Sequence, residues 1–255
     1  MRLTVVGCAG SFPSPRSPAS CYLVEADDAA GRTWRVLLDL GSGALGPLQR
    51  LVAPGGIDEI LLSHLHPDHC MDLCGLFVAL RYDPAGRPTR RIPVYGPGHT
   101  LSRLERAYGA DAEGQMGGIY DVRKWTEGLA VDVGPLLVTP LRVNHPVEAY
   151  GLRVEHAGRV IAYTGDTDTC PALVRLGAAA DLLLAEASFV EGRDLEPDIH
   201  LTGHRAGLVA ASCEAKRLVL THLPAWTEPD VVLAEAQASY AGPVEVATPG
   251  AVYEI

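Results

Sequence analysis

Apolar positions along this chain fall into short runs of strand length, separated by stretches whose apolar residues recur at helical spacing. The strand-like runs occupy residues 3–6, 22–25, 35–38, 59–62, 93–95, 136–143, 149–155, 159–163, 181–184, 217–220 and 244–247. Several are rich in Val, Leu and Ile and are bounded by Gly, Pro or Asp, as strands running into turns require. Helical patterns cover residues 45–51, 71–81, 100–108, 171–177, 203–214 and 228–240. The pattern at 203–214 brings Ala206, Leu208, Val209 and Ala211 to a face suited to packing on a sheet. Strands dominate early and alternate with helices later. This order predicts an α/β fold of four αββα layers, with two mixed sheets flanked by helices. No linker or low-complexity tract interrupts it, so one domain over residues 1–255 is expected, with two similar halves meeting near 130–145. Residues 84–128 are the least regular, and the Gly-rich stretch 111–118 reads as a mobile loop near the site.

Composition narrows the function classes. With 47% hydrophobic residues the 255-residue chain can bury a large core. A formal net charge of -10 argues against a broad nucleic-acid surface, which needs Lys and Arg to displace counterions. It leaves room for a small anion held by metals. The six cysteines are scattered without a CxxC pair, which fits a reducing compartment. Cys70 and Cys74, one helical turn apart, read as small buried hydrophobes. The opening Met1-Arg2-Leu3-Thr4-Val5-Val6-Gly7 runs straight into a strand, with no apolar signal core and no membrane-length run. A cytoplasmic protein is expected.

The chemistry concentrates at strand ends. Ser63-His64-Leu65-His66-Pro67-Asp68-His69 follows directly on the apolar run at 59–62. Alternate residues leaving a strand can point one way, so His64 and His66 can grip one ion. Asp68 and His69, beyond the turn at Pro67, would face a neighbouring position. Imidazole and carboxylate are the usual donors to zinc and similar divalent ions. His145, Asp166 and His222 each sit just past another apolar run. Sites of open α/β sheets collect at such ends. His200, in Asp198-Ile199-His200-Leu201-Thr202-Gly203, precedes a helix. Spacing alone leaves it open between an exposed helix-entry residue and a proton donor or phosphate contact. His99, His156 and His204 read as surface residues. The Gly7–Ser11 loop offers backbone N–H groups and a hydroxyl, though a plain turn fits slightly better. Ser20, Tyr150 and Glu186 are weaker candidates to line a cleft.

His64-x-His66-x-Asp68-His69, His145, Gly165-Asp166-Thr167 and Thr221-His222 together resemble the motifs of the metallo-β-lactamase superfamily, in family order and over nearly the whole chain. The resemblance implies that His64, His66 and His145 hold one metal, that Asp68, His69 and His222 hold a second, and that Asp166 bridges them. His200-Leu201-Thr202 resembles the His-Ser/Thr element of the tRNase Z-like phosphodiesterases, whose histidine assists at the scissile phosphate. Gly7-Cys8-Ala9-Gly10-Ser11, Ser17-Pro18-Ala19-Ser20, Asp39-Leu40-Gly41-Ser42-Gly43 and Thr221-His222-Leu223-Pro224-Ala225-Trp226-Thr227 resemble the atypical class II-like cyclic-nucleotide phosphodiesterases. tRNase Z carries a tRNA-gripping arm between its third-histidine and Gly-Asp motifs. Here His145 and Asp166 lie 21 positions apart, which leaves no room for one.

The expectation is therefore a dinuclear hydrolase that converts cyclic AMP to 5′-AMP by attack of a metal-bridging hydroxide. Asp68 would bind metal and orient the nucleophile, and His200 would assist the leaving oxygen. Two divalent ions are implied, zinc first, with manganese or iron(II) acceptable to the same donors. A small cyclic nucleotide is the expected partner, with a homodimer suggested by the resemblance, nucleic acid less favoured and no membrane. The alternatives are a tRNase Z-type RNA 3′-processing endonuclease and a non-catalytic, metal-stabilised regulatory protein. A thioester or β-lactam hydrolase fits the metal core alone, but His200 disfavours it.

Overall fold

The computed structural model describes residues 1–86, 89–109 and 113–255. Two seven-stranded mixed sheets face one another. The first has the order β14-β1-β2-β3-β4-β5-β6. Its strands are β1 (Arg2–Gly7), β2 (Cys21–Asp27), β3 (Thr33–Leu38), β4 (Glu59–Leu61), β5 (Ile92–Gly96), β6 (Tyr120–Lys124) and β14 (Val252–Glu254). The second has the order β13-β12-β11-β10-β9-β8-β7. It comprises β7 (Val131–Val133), β8 (Leu136–Arg142), β9 (Tyr150–His156), β10 (Arg159–Tyr163), β11 (Leu182–Glu186), β12 (Leu218–Thr221) and β13 (Val244–Val246). In the first sheet the pairs from β14 to β3 are antiparallel and those from β3 to β6 parallel. The second sheet repeats this: antiparallel from β7 to β10, parallel from β10 to β13. The chain changes sheets between Lys124 and Val131, close to the expected 130–145, and β14 returns to close the first sheet.

Side-chain alternation sorts each strand between two cores. Val36 and Leu38 of β3 join Leu182 and Leu184 of β11 between the sheets. Leu37 points the other way, onto α1 (Leu45–Leu48), α3 (Asp72–Arg81) and α4 (Thr100–Tyr108) through Leu48, Leu76 and Leu104. Leu183 likewise meets α5 (Ala172–Gly177), α6 (Gly203–Ser212) and α7 (Pro229–Ser239) through Leu176, Ala206 and Val232. Helix, sheet, sheet, helix is the expected layering.

The elements differ from the expected ones in several places. The short β6, β7 and β14 were not anticipated; they mix charged and apolar residues and lie at or near the sheet edges, where burial leaves little pattern. A one-turn helix, α2 (Pro67–Cys70), was also missed. The strand expected at 181–184 runs on to Glu186. The mobile loop expected over 111–118 falls partly outside the described residues; within them, Met116–Gly118 form a 3-10 turn on α4 and β6, with Met116 fully buried. Cys70 is fully buried and Cys74 partly so. No helix among the described residues is long and apolar enough to cross a membrane.

The inter-sheet layer makes a stability prediction. Leu38 has no exposed surface, so Leu38→Ala leaves a cavity and should destabilise the fold by about 2–5 kcal/mol. Urea denaturation of wild type and variant checks this; a midpoint unchanged within error would show that the layer repacks around the gap.

Candidate metal centre

Strand ends of both sheets deliver polar side chains to one edge of the molecule. Asp39 follows β3, Ser63 to His69 follow β4, His145 follows β8, Asp166 follows β10, Glu186 ends β11 and His222 follows β12. The structure brings together His64, His66, His145 and Asp166 as one group, and Asp68, His69, Asp166 and His222 as another, each with its ligand atoms within 4.8 Å of one another. Asp166 belongs to both. These are the seven residues expected to form the cages.

Hydrogen bonds turn the histidines inward. Ser63 Oγ donates to Asp39 Oδ2 at 2.7 Å, so it accepts from His64 Nδ1 at 3.1 Å. His69 Nδ1 donates to Asp39 Oδ2 at 2.7 Å. His145 Nδ1 donates to the Ile199 carbonyl at 2.9 Å. Ser188 Oγ gives its proton to the His222 carbonyl and accepts from His222 Nδ1, both at 2.7 Å. Each outer nitrogen thus carries the proton, and each Nε2 presents a lone pair to the interior. There His69 Nε2 and His222 Nε2 lie 3.1 Å apart, His64 Nε2 lies 3.0 Å from His66 Nδ1, and His145 Nε2 lies 3.2 Å from the same atom. Converging lone pairs repel unless a proton or cation sits among them. Asp166 Oδ1 adds a buried oxygen without a hydrogen-bond partner. This donor set fits two divalent ions, with a surrounding shell that fixes tautomer and ring orientation.

Electrostatics divide the set: burial opposes the His69 cation, yet Asp166, Asp39 and Asp68 prevail and raise its pKa, so a metal there must displace a proton. Burial pushes His64, His66 and His145 below the ordinary imidazole range, the neutral form a ligand needs. Burial alone would raise the Asp68 carboxyl, but His69 and His222 prevail and hold it low. Asp166 is held low against the same burial penalty by His222, His69 and His64.

Backbone strain marks the approach of the loops. Ser11, Asp39 and His222 have φ of 63°, 59° and 60°, left-handed conformations that cost free energy outside glycine. Gly10 and Gly41 are needed for contact: a Cβ on Gly10 would lie 2.2 Å from the His222 carbonyl oxygen, and one on Gly41 1.9 Å from that of Asp68. The Gly7–Ser11 loop is thus clamped onto His222 and is more than a plain turn.

His200 is buried. Its Nδ1 lies 2.7 Å from Glu186 Oε1, which also accepts from the Thr167 N–H at 2.8 Å. Thr202, and not His200, caps α6 by accepting from the Arg205 N–H. The reading of His200 as an exposed helix-entry residue is thereby excluded. Burial works against its cation, yet Glu186 prevails and raises its pKa to about 9. Glu186 itself, expected as a cleft-lining residue, is fully buried and engaged with His200. Ser20 is also fully buried, and Tyr150 nearly so with its hydroxyl on Glu148. His99 is exposed, and His156 and His204 partly so. Asp39, Ser63 and Ser188 received no role from sequence reasoning. Asp39 had a signal: it stands where the ligands stand, just past an apolar strand.

The beta-lactamase superfamily domain matches residues 34–223 of this chain. A Mycobacterium leprae protein is 44% identical over 100% of this chain and 89% of its own length. The probable metallo-hydrolase YhfI of Bacillus subtilis is 30% identical over the whole of both chains. The YhfI crystal structure superposes with a TM-score of 0.87, covering 100% of this chain and 99% of that one at 28% identity. The short form of human tRNase Z superposes with a TM-score of 0.79 at 25% identity, with 100% and 99% coverage. The chain belongs to the metallo-β-lactamase superfamily, in its tRNase Z-like branch, and is a metallo-hydrolase whose His and Asp clusters imply divalent metals.

Asp39→Asn tests the outer shell. Whichever way the amide turns, its NH2 must face a donor: the Ser63 N–H on one side, or Ser63 Oγ, His69 Nδ1 and Tyr163 Oη on the other. Metal affinity should fall about 10–100-fold, read as bound metal after dialysis against a competing chelator. Retention equal to wild type would remove Asp39 from the support of the cage.

Proposed function

We propose that this chain is a dinuclear phosphodiesterase that hydrolyses the 3′ phosphodiester bond of 3′,5′-cyclic nucleotides, cyclic AMP to 5′-AMP. The observation that carries the reading is the buried His200–Glu186 pair beside the two cages, with His200 within 4.8 Å ligand-atom reach of His222. His64, His66 and His145 would hold one ion and Asp68, His69 and His222 the other, with Asp166 shared. Divalent ions there, zinc foremost, supply hydroxide at neutral pH and neutralise phosphate charge.

The chain's own residues supply the rest. Asp68, held ionised, accepts a hydrogen bond from the attacking water and orients it toward phosphorus. Glu186 occupies Nδ1 of His200 and leaves Nε2 free. As the bond from phosphorus to the 3′ oxygen breaks, Nε2 donates its proton to that oxygen. His200 is protonated below about pH 9, so the acid form is present at neutrality. Glu186 also offsets the positive field of cations close by.

The span from His145 to Asp166 favours a small substrate. β9 and β10 pair from Arg159↔His156 onward, so Ala157 and Gly158 alone make the turn. Both have positive φ, 49° and 76°, the signature of a two-residue hairpin of the I′ type. The hairpin of residues 150–163 fills most of the span, with no projecting arm to grip RNA. The net charge of -10 points the same way.

A panel of cyclic mononucleotides, cyclic dinucleotides and precursor tRNA, run with zinc and with manganese, tests the proposal. Cyclic AMP should be turned over well above precursor tRNA; comparable cleavage of the tRNA would overturn it. His200→Ala should lower kcat about a hundredfold or more with metal content retained. An unchanged kcat would remove the histidine from the mechanism. The pH profile follows from the raised pKa. Activity that needs protonated His200 is present below about 9 and is lost as pH rises through it. Glu186→Gln removes the cause of the rise, so the fall should move to lower pH; an unmoved basic limb would assign that limb to another group.

A further inference from the structure

Among the described residues, Phe12 and Trp226 form an aromatic pair that faces solvent beside the cages. Phe12 is 38% and Trp226 62% exposed, and their ring centroids lie 5.0 Å apart at 46°. Rings of this size are normally covered, and an exposed aromatic pair invites a ligand face.

The backbone segments that carry both rings are tied to His222. Trp226 lies on the segment leaving it, where the Thr227 N–H donates to the Pro224 carbonyl at 2.8 Å. Phe12 follows Ser11, whose N–H lies 3.3 Å from His222 Nε2. The two segments are stitched by Gly10 N–H to the Leu223 carbonyl at 3.0 Å and Leu223 N–H to the Cys8 carbonyl at 3.3 Å. The Phe12 N–H reaches back to the Gly10 carbonyl at 2.7 Å across Ser11 at φ 63°, a tight and strained turn. Strain of that kind persists only where the surroundings enforce it. Here it sets the Phe12 ring against Trp226 and keeps the pair at a fixed offset from a cage residue.

Resting on the reading above, that the substrate is a cyclic mononucleotide, we propose that Phe12 and Trp226 are the platform on which its base stacks. The phosphodiester is fixed at the cages. The base then projects a short distance onto whatever rim lies beside them, and an aromatic face attracts it without a hydrogen-bond code. The pair therefore selects for a base over none and discriminates little between adenine and guanine.

The test uses metal-loaded wild type, Trp226→Ala, Trp226→Phe and Phe12→Ala. It compares kcat/KM for cyclic AMP with that for the baseless 1-deoxyribose 3′,5′-cyclic phosphate, and calorimetric affinity for 5′-AMP with that for ribose 5-phosphate. Trp226→Ala should reduce the cyclic AMP preference about tenfold or more, mainly through KM. It should weaken 5′-AMP by a similar factor, while Trp226→Phe keeps most of both. Phe12→Ala should fall between the two. Should wild type turn over neither cyclic compound, yet bind 5′-AMP above ribose 5-phosphate and lose that margin in Trp226→Ala, the catalytic reading falls and the platform stands. Equal preference and equal 5′-AMP affinity in wild type and Trp226→Ala overturn the platform. If that variant also sediments as a smaller species, the pair is a contact between copies of the chain.

Discussion

The Asp39 carboxylate accepts four hydrogen bonds in a place water does not reach: from the Ser63 N–H and hydroxyl, from His69 Nδ1 and from the Tyr163 hydroxyl, all at 2.7 Å. Ser63 and His69 belong to the metal loop of the first sheet, and Tyr163 ends a strand of the second. A buried carboxylate is costly unless every lone pair is used. Its satisfaction therefore depends on both sheets meeting in one register. Losing the carboxylate would strand donors from both sheets at once, so sheet packing and the geometry of the histidine cluster are set together.

The same logic runs through the rest of the edge. Tyr22 on β2 shares a 2.7 Å hydrogen bond with Thr221, the residue before His222. Gly10 brings the first-sheet loop against the His222 carbonyl, and Ser188 fixes the ring from the other side. His222 thus sits at φ 60° because three neighbours from two sheets determine its place. Ordinary strand ends have no such constraint. The concentration of left-handed residues here is the cost of making lone pairs converge where the backbone would otherwise let them diverge.

How much of this the sequence made legible follows from the physics of each feature. Buried strands and their ligands were readable because apolar runs ending in His or Asp are a local pattern. β6, β7 and β14 were not, since a short peripheral strand gains little burial and its residues carry little alternation. The structure brings the seven expected residues together as two groups sharing Asp166. Asp39 was passed over because its role depends on Tyr163, 124 positions away. Glu186 was suspected for the wrong reason. Its strand-end position suggested the cleft, but the side chain turns inward to His200, and only the packing of β11 against the entry to α6 reveals that. Phe12 and Trp226 carried no signal as a pair, because 214 positions separate them.

In the proposed mechanism His200 needs a balancing anion that is not a metal ligand. Two divalent ions held there would lower the pKa of water, but the same field would drive a nearby imidazolium to lose its proton, and a neutral imidazole protonates no leaving oxygen. Glu186 counters this from the far side of the ring. It is fully buried, and its second oxygen accepts from the Ser188 N–H at 3.1 Å. Ser188 in turn holds His222. The partners of His200 and His222 thus lie on one short segment, Glu186 to Ser188, at the end of β11. A shift of that strand end would disturb His200 and His222 together, which in the proposed mechanism couples proton donation and metal binding to a single element of the fold.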